Sequence, residues 1–295
     1  MQFGKVDNIS GIDFTLPPDA PENKNIIKQR KDKDTEIYIG CAKWNKTDLK
    51  NFYPKGNKDE LGYYSTQFNS IELNATFYGT PTKDQVELWK SKTPPDFKFF
   101  PKITNSISHF RRLIEVKSLT DQYCDAICLF EEKLGSVFLQ LHDNFKPKDF
   151  SRLENFIQSF PKNIPLAVEV RNTEWFAEKD SADQYFKLLE DNNVANIIVD
   201  TAGRRDLLHM RLTNSTAFVR YVGANDISDY KRLDDWFERI KEWKKEGLNN
   251  LYFFVHQNIE KASPLLSAYL IKKLNSELGT NLHVPLTLSE NSMGF

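Results

Sequence analysis

A TIM-type (β/α)8 barrel in a single domain is the α/β fold this sequence predicts, and three observations predict it. Short β-branched or aromatic runs recur eight times, at 37–41, 70–77, 97–101, 136–141, 165–170, 194–199, 217–222 and 251–255. They are nearly continuous in apolar residues, as strands buried on both faces should be. Helix-like stretches separate them at intervals of about thirty residues, the alternation of a closed parallel barrel. The 295-residue chain exceeds the roughly 250 residues such a barrel takes, so length does not force a second domain.

Taken in order, residues 1–35 read as an irregular extension. The stretch 17–35 (PPDAPENKNIIKQRKDKDT) is rich in Pro, Asn, Lys and Asp and lacks periodicity, so it reads as a linker or surface wrap. The run Ile12-Asp13-Phe14-Thr15-Leu16 could dock on the body. The barrel occupies 36–278, and 279–295 reads as a tail without a helix of its own. Helices are expected at 83–91, 119–132, 149–160, 182–191, 234–246 and 263–274, with Thr82 and Ser181 as N-caps. In 234–246 (DDWFERIKEWKKE), Trp236, Phe237, Ile240 and Trp243 fall on one stripe that should face the core. A doubly wound open sheet is the alternative; it would normally carry a Gly-rich loop after the first strand, and Gly40 alone does not supply one.

Composition narrows the function classes. Lys plus Arg number 40 against 41 Asp plus Glu, which argues against a dedicated nucleic-acid binder while leaving a local basic patch open. The three cysteines, Cys41, Cys124 and Cys128, include only a CxxxC pair, a poor match to zinc or redox spacing, and are expected to be reduced. No run reaches the ~18 apolar residues of a membrane span, and the N-terminus lacks a signal-peptide core, so a cytoplasmic location is expected.

A barrel builds its site at the C-terminal ends of its strands. There the sequence places Trp44; Glu72, Asn74 and Tyr78; Lys102 and His109; Gln140 and His142; Glu169, Arg171 and Trp175; Asp200; Arg220; and His256-Gln257-Asn258. Charged groups inside apolar runs are the main signal, because charges are rarely buried without partners. Alternation puts Glu72 and Asn74 on one face of their strand, and Glu169 and Arg171 on one face of theirs.

The segments IGCAKW, FNSIELNATFYGTP, FKFFPKIT…ISHFRRL, LGSVFLQL, VEVRNTEWF and FVRYVG resemble the domain-of-unknown-function family 72 (DUF 72), the YecE-like proteins. The resemblance runs through most of residues 37–258. It implies a TIM-type barrel and no established reaction, cofactor or substrate. Carried across motif by motif, it places Trp44, Glu72, Asn74, Tyr78, Lys102, His109, Glu169, Arg171, Trp175 and Arg220 in the pocket. Two departures stand out. The first-strand motif, usually GxxGW, reads GCAKW and puts Lys43 beside the pocket; the eighth strand, usually an aromatic followed by paired Asn, ends Val255-His256-Gln257-Asn258.

Each residue group has two readings. Glu72 and Glu169 read either as an acid/base or nucleophile pair, or as halves of internal ion pairs, Glu169 with Arg171 or Arg220 and Glu72 with Lys102. Lys102, Arg171 and Arg220 read as a clamp for a phosphate or carboxylate, or as neutralisers of the two glutamates. His109 reads as a third proton-transfer residue or a loop hydrogen-bonder. Trp44, Tyr78 and Trp175 read as stacking surfaces or as rim packing. Expected, then, is a small-molecule enzyme of hydrolase or isomerase type with an anionic or polyhydroxylated ligand and neither metal nor cofactor. A metal-dependent phosphodiesterase or nucleic-acid-binding barrel of the endonuclease IV type, and a non-catalytic ligand- or partner-binding protein, are the alternatives.

Overall fold

A computed structural model describes residues 4–27 and 34–287. Eight parallel strands follow one another: β1 (Glu36–Cys41), β2 (Ser70–Leu73), β3 (Lys98–Pro101), β4 (Val137–Gln140), β5 (Leu166–Glu169), β6 (Ala195–Asp200), β7 (Thr216–Gly223) and β8 (Asn250–Gln257). All eight apolar runs are therefore strands. Their backbone hydrogen bonds form a six-stranded sheet in the order β1-β8-β7-β6-β5-β4 and a separate pair β2-β3, not one continuous ladder. The architecture is thus an α/β fold with an open, half-barrel parallel sheet.

Both seams are narrow. Between β3 and β4 two isolated parallel bridges remain, Phe99 to Leu134 and Lys102 to Phe138. Between β1 and β2 side chains replace the ladder: the Asn69 amide accepts from Ile39 N (3.0 Å) and donates to the Ile37 carbonyl (2.8 Å). The Tyr64 hydroxyl accepts from Cys41 N (2.7 Å) and donates to the Ser70 carbonyl (3.0 Å). Gly40 lies in this seam, where a Cβ would come within 2.3 Å of the Ser70 carbonyl oxygen; only glycine permits that approach.

The helices between the strands are α2 (Glu60–Gln67), α3 (Lys83–Ser91), α4 (Lys117–Cys128), α5 (Phe150–Ser159), α6 (Glu174–Ala177), α7 (Lys179–Asp191), α8 (Ser228–Glu246) and α9 (Ser263–Leu278); a short α1 (Asn23–Ile27) precedes β1. Thr82 caps α3 in a reciprocal capping box with Gln85. Ser181, expected as a cap, lies inside α7, whose N-cap is Glu178; the short α6 runs almost directly into α7, so the helix begins earlier. The α8 stripe is buried as expected, with Trp236, Phe237, Ile240 and Trp243 at 0–1% exposure. No helix among the described residues is long and apolar enough to cross a membrane.

The extension docks on the body at several points. Arg205 donates to the carbonyls of Asp13 and Thr15, and Phe14 lies 4.4 Å beneath the Arg232 guanidinium. Asp19 takes bonds from Arg239 (2.6 Å) and the Trp243 indole (2.9 Å). The buried Asn23 exchanges bonds with Met210 O and Leu212 N. Residues 1–3 and 28–33 of the extension, and 288–295 of the expected tail, lie outside the described residues; 279–287 carry no helix, and Gly279 closes α9 in the left-handed conformation.

On the concave face the period of two is visible as layers. Phe100, Phe138, Ala167, Ile197, Phe218 and Phe254 form an apolar floor, with Tyr38 and Tyr252 packed against it. Two residues further along their strands stand Lys102, Gln140, Glu169, Val199, Arg220 and His256, a predominantly polar layer on the same side. The floor seals the polar layer from below, so its groups must satisfy one another or a ligand entering from the strand ends.

Candidate active site

Arg220, from the middle of β7, is the hub of the polar layer. Its Nε and Nη2 grip the two Glu72 oxygens (2.8 and 3.0 Å), while its Nη1 reaches Glu169 Oε2 at 2.6 Å. Glu169 Oε1 is shared by Arg171 Nε (2.6 Å) and Gln140 Nε2 (2.9 Å), and Gln140 Oε1 accepts from Lys102 Nζ (2.7 Å). Glu72 is completed by Asn74 Nδ2 (2.8 Å) and His256 Nε2 (3.0 Å). A bond to an ionised carboxylate requires the proton on His256 Nε2.

These contacts decide the state of the carboxylates. Glu72 and Glu169 are buried at 0 and 1% exposure, which by itself would raise their pKa values. Arg220 and His256 overcome burial at Glu72 and hold it well below the usual carboxylate range. Arg220 and Arg171 overcome it at Glu169 and bring it to about 2. Arg220 in turn is driven further above its already high value by the two glutamates, against the effect of burial. A general acid needs a raised pKa, so neither glutamate is suited to donating a proton. The ion-pair reading of both is the one the geometry matches, with one change of partner: Glu72 pairs with Arg220, not with Lys102.

A cavity of about 470 Å³ opens at the strand ends over the part of this layer formed by Val199, Arg220 and His256. Lys5, Lys43, Lys50, Arg171 and Arg220 line it with His256, against the acids Asp48 and Glu260. Lys43, the residue that departs from the first-strand motif, and Lys5, delivered by the docked extension, both reach this rim. Burial raises the pKa of Glu260, and Nδ1 of His256 lies 3.9 Å from it, too long for a hydrogen bond.

The aromatic candidates are placed elsewhere. Trp175 is fully buried, stacked on Phe145 and donating to its carbonyl at 2.9 Å, and is core packing, not part of this cavity's lining. Trp44 packs edge-on against Trp89 on the outer side. Tyr78 projects from the loop after β2, 80% exposed. Asn74 belongs to a 3₁₀ turn (Asn74–Phe77), because β2 ends at Leu73; its amide still reaches Glu72. His109 meets Phe77 edge-on at 4.9 Å and accepts or donates at Ser108 Oγ (2.9 Å). Burial, then Lys102, His142 and Arg171, hold it near 4, so it is neutral at pH 7.

Asp200, which the sequence places at a strand end, is committed to protein partners: Arg205, Arg232 (2.9 Å) and the Trp236 indole (2.7 Å). Among the described residues no three His, Cys, Asp or Glu are gathered as a metal would require. Gln140 and His256 are site residues that the sequence reading named at strand ends without assigning them a role. The period-two relation Phe138/Gln140 and Tyr252/Phe254/His256 was the available signal.

Residues 38–287 match the model of the family described as "Protein of unknown function DUF72". The chain belongs to this family. It is 26% identical over 279 residues to the UPF0759 protein YecE of Escherichia coli K12, covering 87% of this chain and 99% of that one. It is 30% identical over 241 residues to the UPF0759 protein YunF of Bacillus subtilis 168, covering 73% and 84%. Two crystal structures of DUF72 family proteins share the fold. The one from Thermotoga maritima MSB8 aligns with a TM-score of 0.67 at 24% identity, covering 82% of this chain and all of that one. The one from Enterococcus faecalis V583 gives 0.66 at 19%, covering 82% and 98%. The DUF72 name carries no reaction, so the chemistry rests on the side chains.

Proposed function

We propose that this DUF72 protein binds a small anionic molecule in the strand-end cavity and acts on it as a metal-independent enzyme of isomerase or hydrolase type. The observation that carries the reading is the lining: five cationic side chains and His256 face Asp48 and Glu260, and the cations stay in excess, five to four, when Glu72 and Glu169 beneath, held by Arg220 and Arg171, are counted with the acids. Arg171 and Arg220 offer the planar guanidinium chemistry that suits phosphate or carboxylate. About 470 Å³ is ample for a small metabolite. Glu72 and Glu169 serve in this reading as orienting groups that fix Arg220, Arg171 and His256.

The same reading takes the eight strands as one closed barrel wall. The bridges Phe99–Leu134 and Lys102–Phe138, the Asn69 amide and the tight fit at Gly40 support it. It also places the protein in the cytoplasm, in keeping with the free thiols of Cys41, Cys124 and Cys128.

Calorimetric titration with inorganic phosphate tests the binding. Saturable binding is expected, weakening as ionic strength rises. Lys43 and Lys50 are exposed, so the double variant Lys43→Gln/Lys50→Gln should keep the fold and weaken binding about three- to tenfold. Arg171→Gln should weaken it further. No saturable binding of inorganic phosphate or of small carboxylates would end the proposal.

A further inference from the structure

His256 and Glu260 both line the strand-end cavity, and each keeps one polar atom that the network beneath does not use. His256 lies near the end of β8, and Glu260 opens the 3₁₀ turn Glu260–Ala262 that leads into α9. One edge of the His256 ring is fixed: Nε2 lies 3.0 Å from Glu72 Oε2, with Arg220 Nη2 at 3.4 Å from the same nitrogen. One oxygen of Glu260 is fixed as well, because Oε2 accepts from Ser263 Oγ (2.7 Å) and Gln257 N (3.3 Å). The atoms left over, His256 Nδ1 and Glu260 Oε1, face each other at 3.9 Å, and neither has a hydrogen-bond partner among the described residues. That gap is too long for a direct bond, but it suits one bridging oxygen, which at about 2.8 Å from both sits just off the line between them. A hydroxyl fits the place because it donates and accepts at once. It accepts from whichever partner carries a proton and donates to the other. Burial raises the Glu260 pKa against the pull of His256, the Ser263 and Gln257 hydrogen bonds and Lys43, which favours a proton in the pair.

We infer that the ligand of the strand-end cavity is a hydroxylated anion, a 2-hydroxy acid or a polyol phosphate, whose hydroxyl bridges His256 Nδ1 and Glu260 Oε1 while the cavity cations hold its carboxylate or phosphate. The inference rests on the anion site proposed above and names its ligand class. Lys5, Lys43, Lys50 and Arg171 line the same cavity as the pair, so handle and hydroxyl are engaged together. An anion without the hydroxyl, seated over the pair, leaves both atoms unpaired, and a site built to bond a hydroxyl discriminates strongly against the analogue that lacks it.

The test is calorimetric titration of the full chain at pH 7 with two matched pairs, lactate against propionate and glycerol 3-phosphate against propyl phosphate. Within each pair the carbon skeleton and the anionic group are the same, and only the hydroxyl groups differ. In at least one pair the hydroxylated member is expected to bind about tenfold tighter or more. The pair that shows the preference tells whether the handle is carboxylate or phosphate. Glu260→Ala and His256→Phe, made separately, should each bring that ratio close to one; if neither variant folds, the wild-type ratio is itself decisive. Equal affinities in both pairs, or a preference that survives both substitutions, would overturn the inference and leave the anion site standing. Absence of binding by all four compounds and by inorganic phosphate would remove both.

Discussion

Arg220→Met is expected to destabilise the protein by about 3–5 kcal/mol at pH 7, among the largest effects of any single substitution. The guanidinium is the shared counter-charge of two carboxylates that are at most 1% exposed, and removing one partner of a buried pair leaves the other charge uncompensated. The pH dependence should also change sign. In the wild type both carboxyls are depressed in the folded state, so their stabilisation is present above the ordinary carboxylate pKa and is lost as pH falls toward 2. Without Arg220, burial at Glu72 is opposed mainly by His256 and Asn74, its carboxyl rises, and the folded state takes up a proton. The variant should therefore gain stability as pH falls from 8 to 5, where the wild type does not. Glu72→Gln added to Arg220→Met should return part of the loss. Urea unfolding across that pH range measures all three; a loss under about 1 kcal/mol with an unchanged pH slope would mean that Arg220 does not hold the layer together.

Lys102→Met is expected to act in the opposite direction and stabilise the protein by about 2–4 kcal/mol at pH 6. A fall from 10.5 to about 7 corresponds to about 5 kcal/mol of penalty on the charged amine, of which the lost Gln140 bond returns a part. Between these two values the unfolded chain binds one more proton than the folded one, so wild-type stability rises with pH through that window. The advantage of the variant should be largest below pH 7 and fade toward pH 10. Unfolding curves at pH 6 and pH 9 check this. Stabilisation would mean that the buried amine costs more than its Gln140 bond returns. A destabilised variant would instead make Lys102 a structural element.

The strands were legible because each is a short, doubly buried run, and α3 because Thr82 stands at its N-cap. The end of β2 was not. SIELNATF reads as one continuous strand, but Thr76 turns its side chain back onto the carbonyl of Leu73, three residues earlier. Asn74 reaches toward Ala42 O, and Thr76 Oγ1 bonds the carbonyls of Leu73 and Lys102. Such side-chain bonds compete with the sheet ladder and wind the chain into a 3₁₀ turn. Helix α2 (ELGYYSTQ) escaped because its apolar stripe is thin, although Asp59 caps it through the Gly62 amide. That Glu72, Glu169 and Arg220 form internal ion pairs could be weighed from charges in apolar runs. That Arg220, 148 positions from Glu72, would take both glutamates could not, because the contact is made across the sheets and no local pattern encodes it. Trp175 misled for a related reason. Its place just past a strand end suggests a rim, and only the packing on Phe145 shows that it turns inward.

The most direct measurement is a crystal structure of the protein grown with inorganic phosphate, at a concentration above the affinity found by titration. Phosphate is expected in the strand-end cavity, within hydrogen-bond distance of Arg171 or Arg220 and near Lys43, with Glu72 and Glu169 still held by Arg220. A cavity that stays free of phosphate while the ion binds elsewhere, or an Arg220 that leaves both glutamates to meet it, would contradict the account.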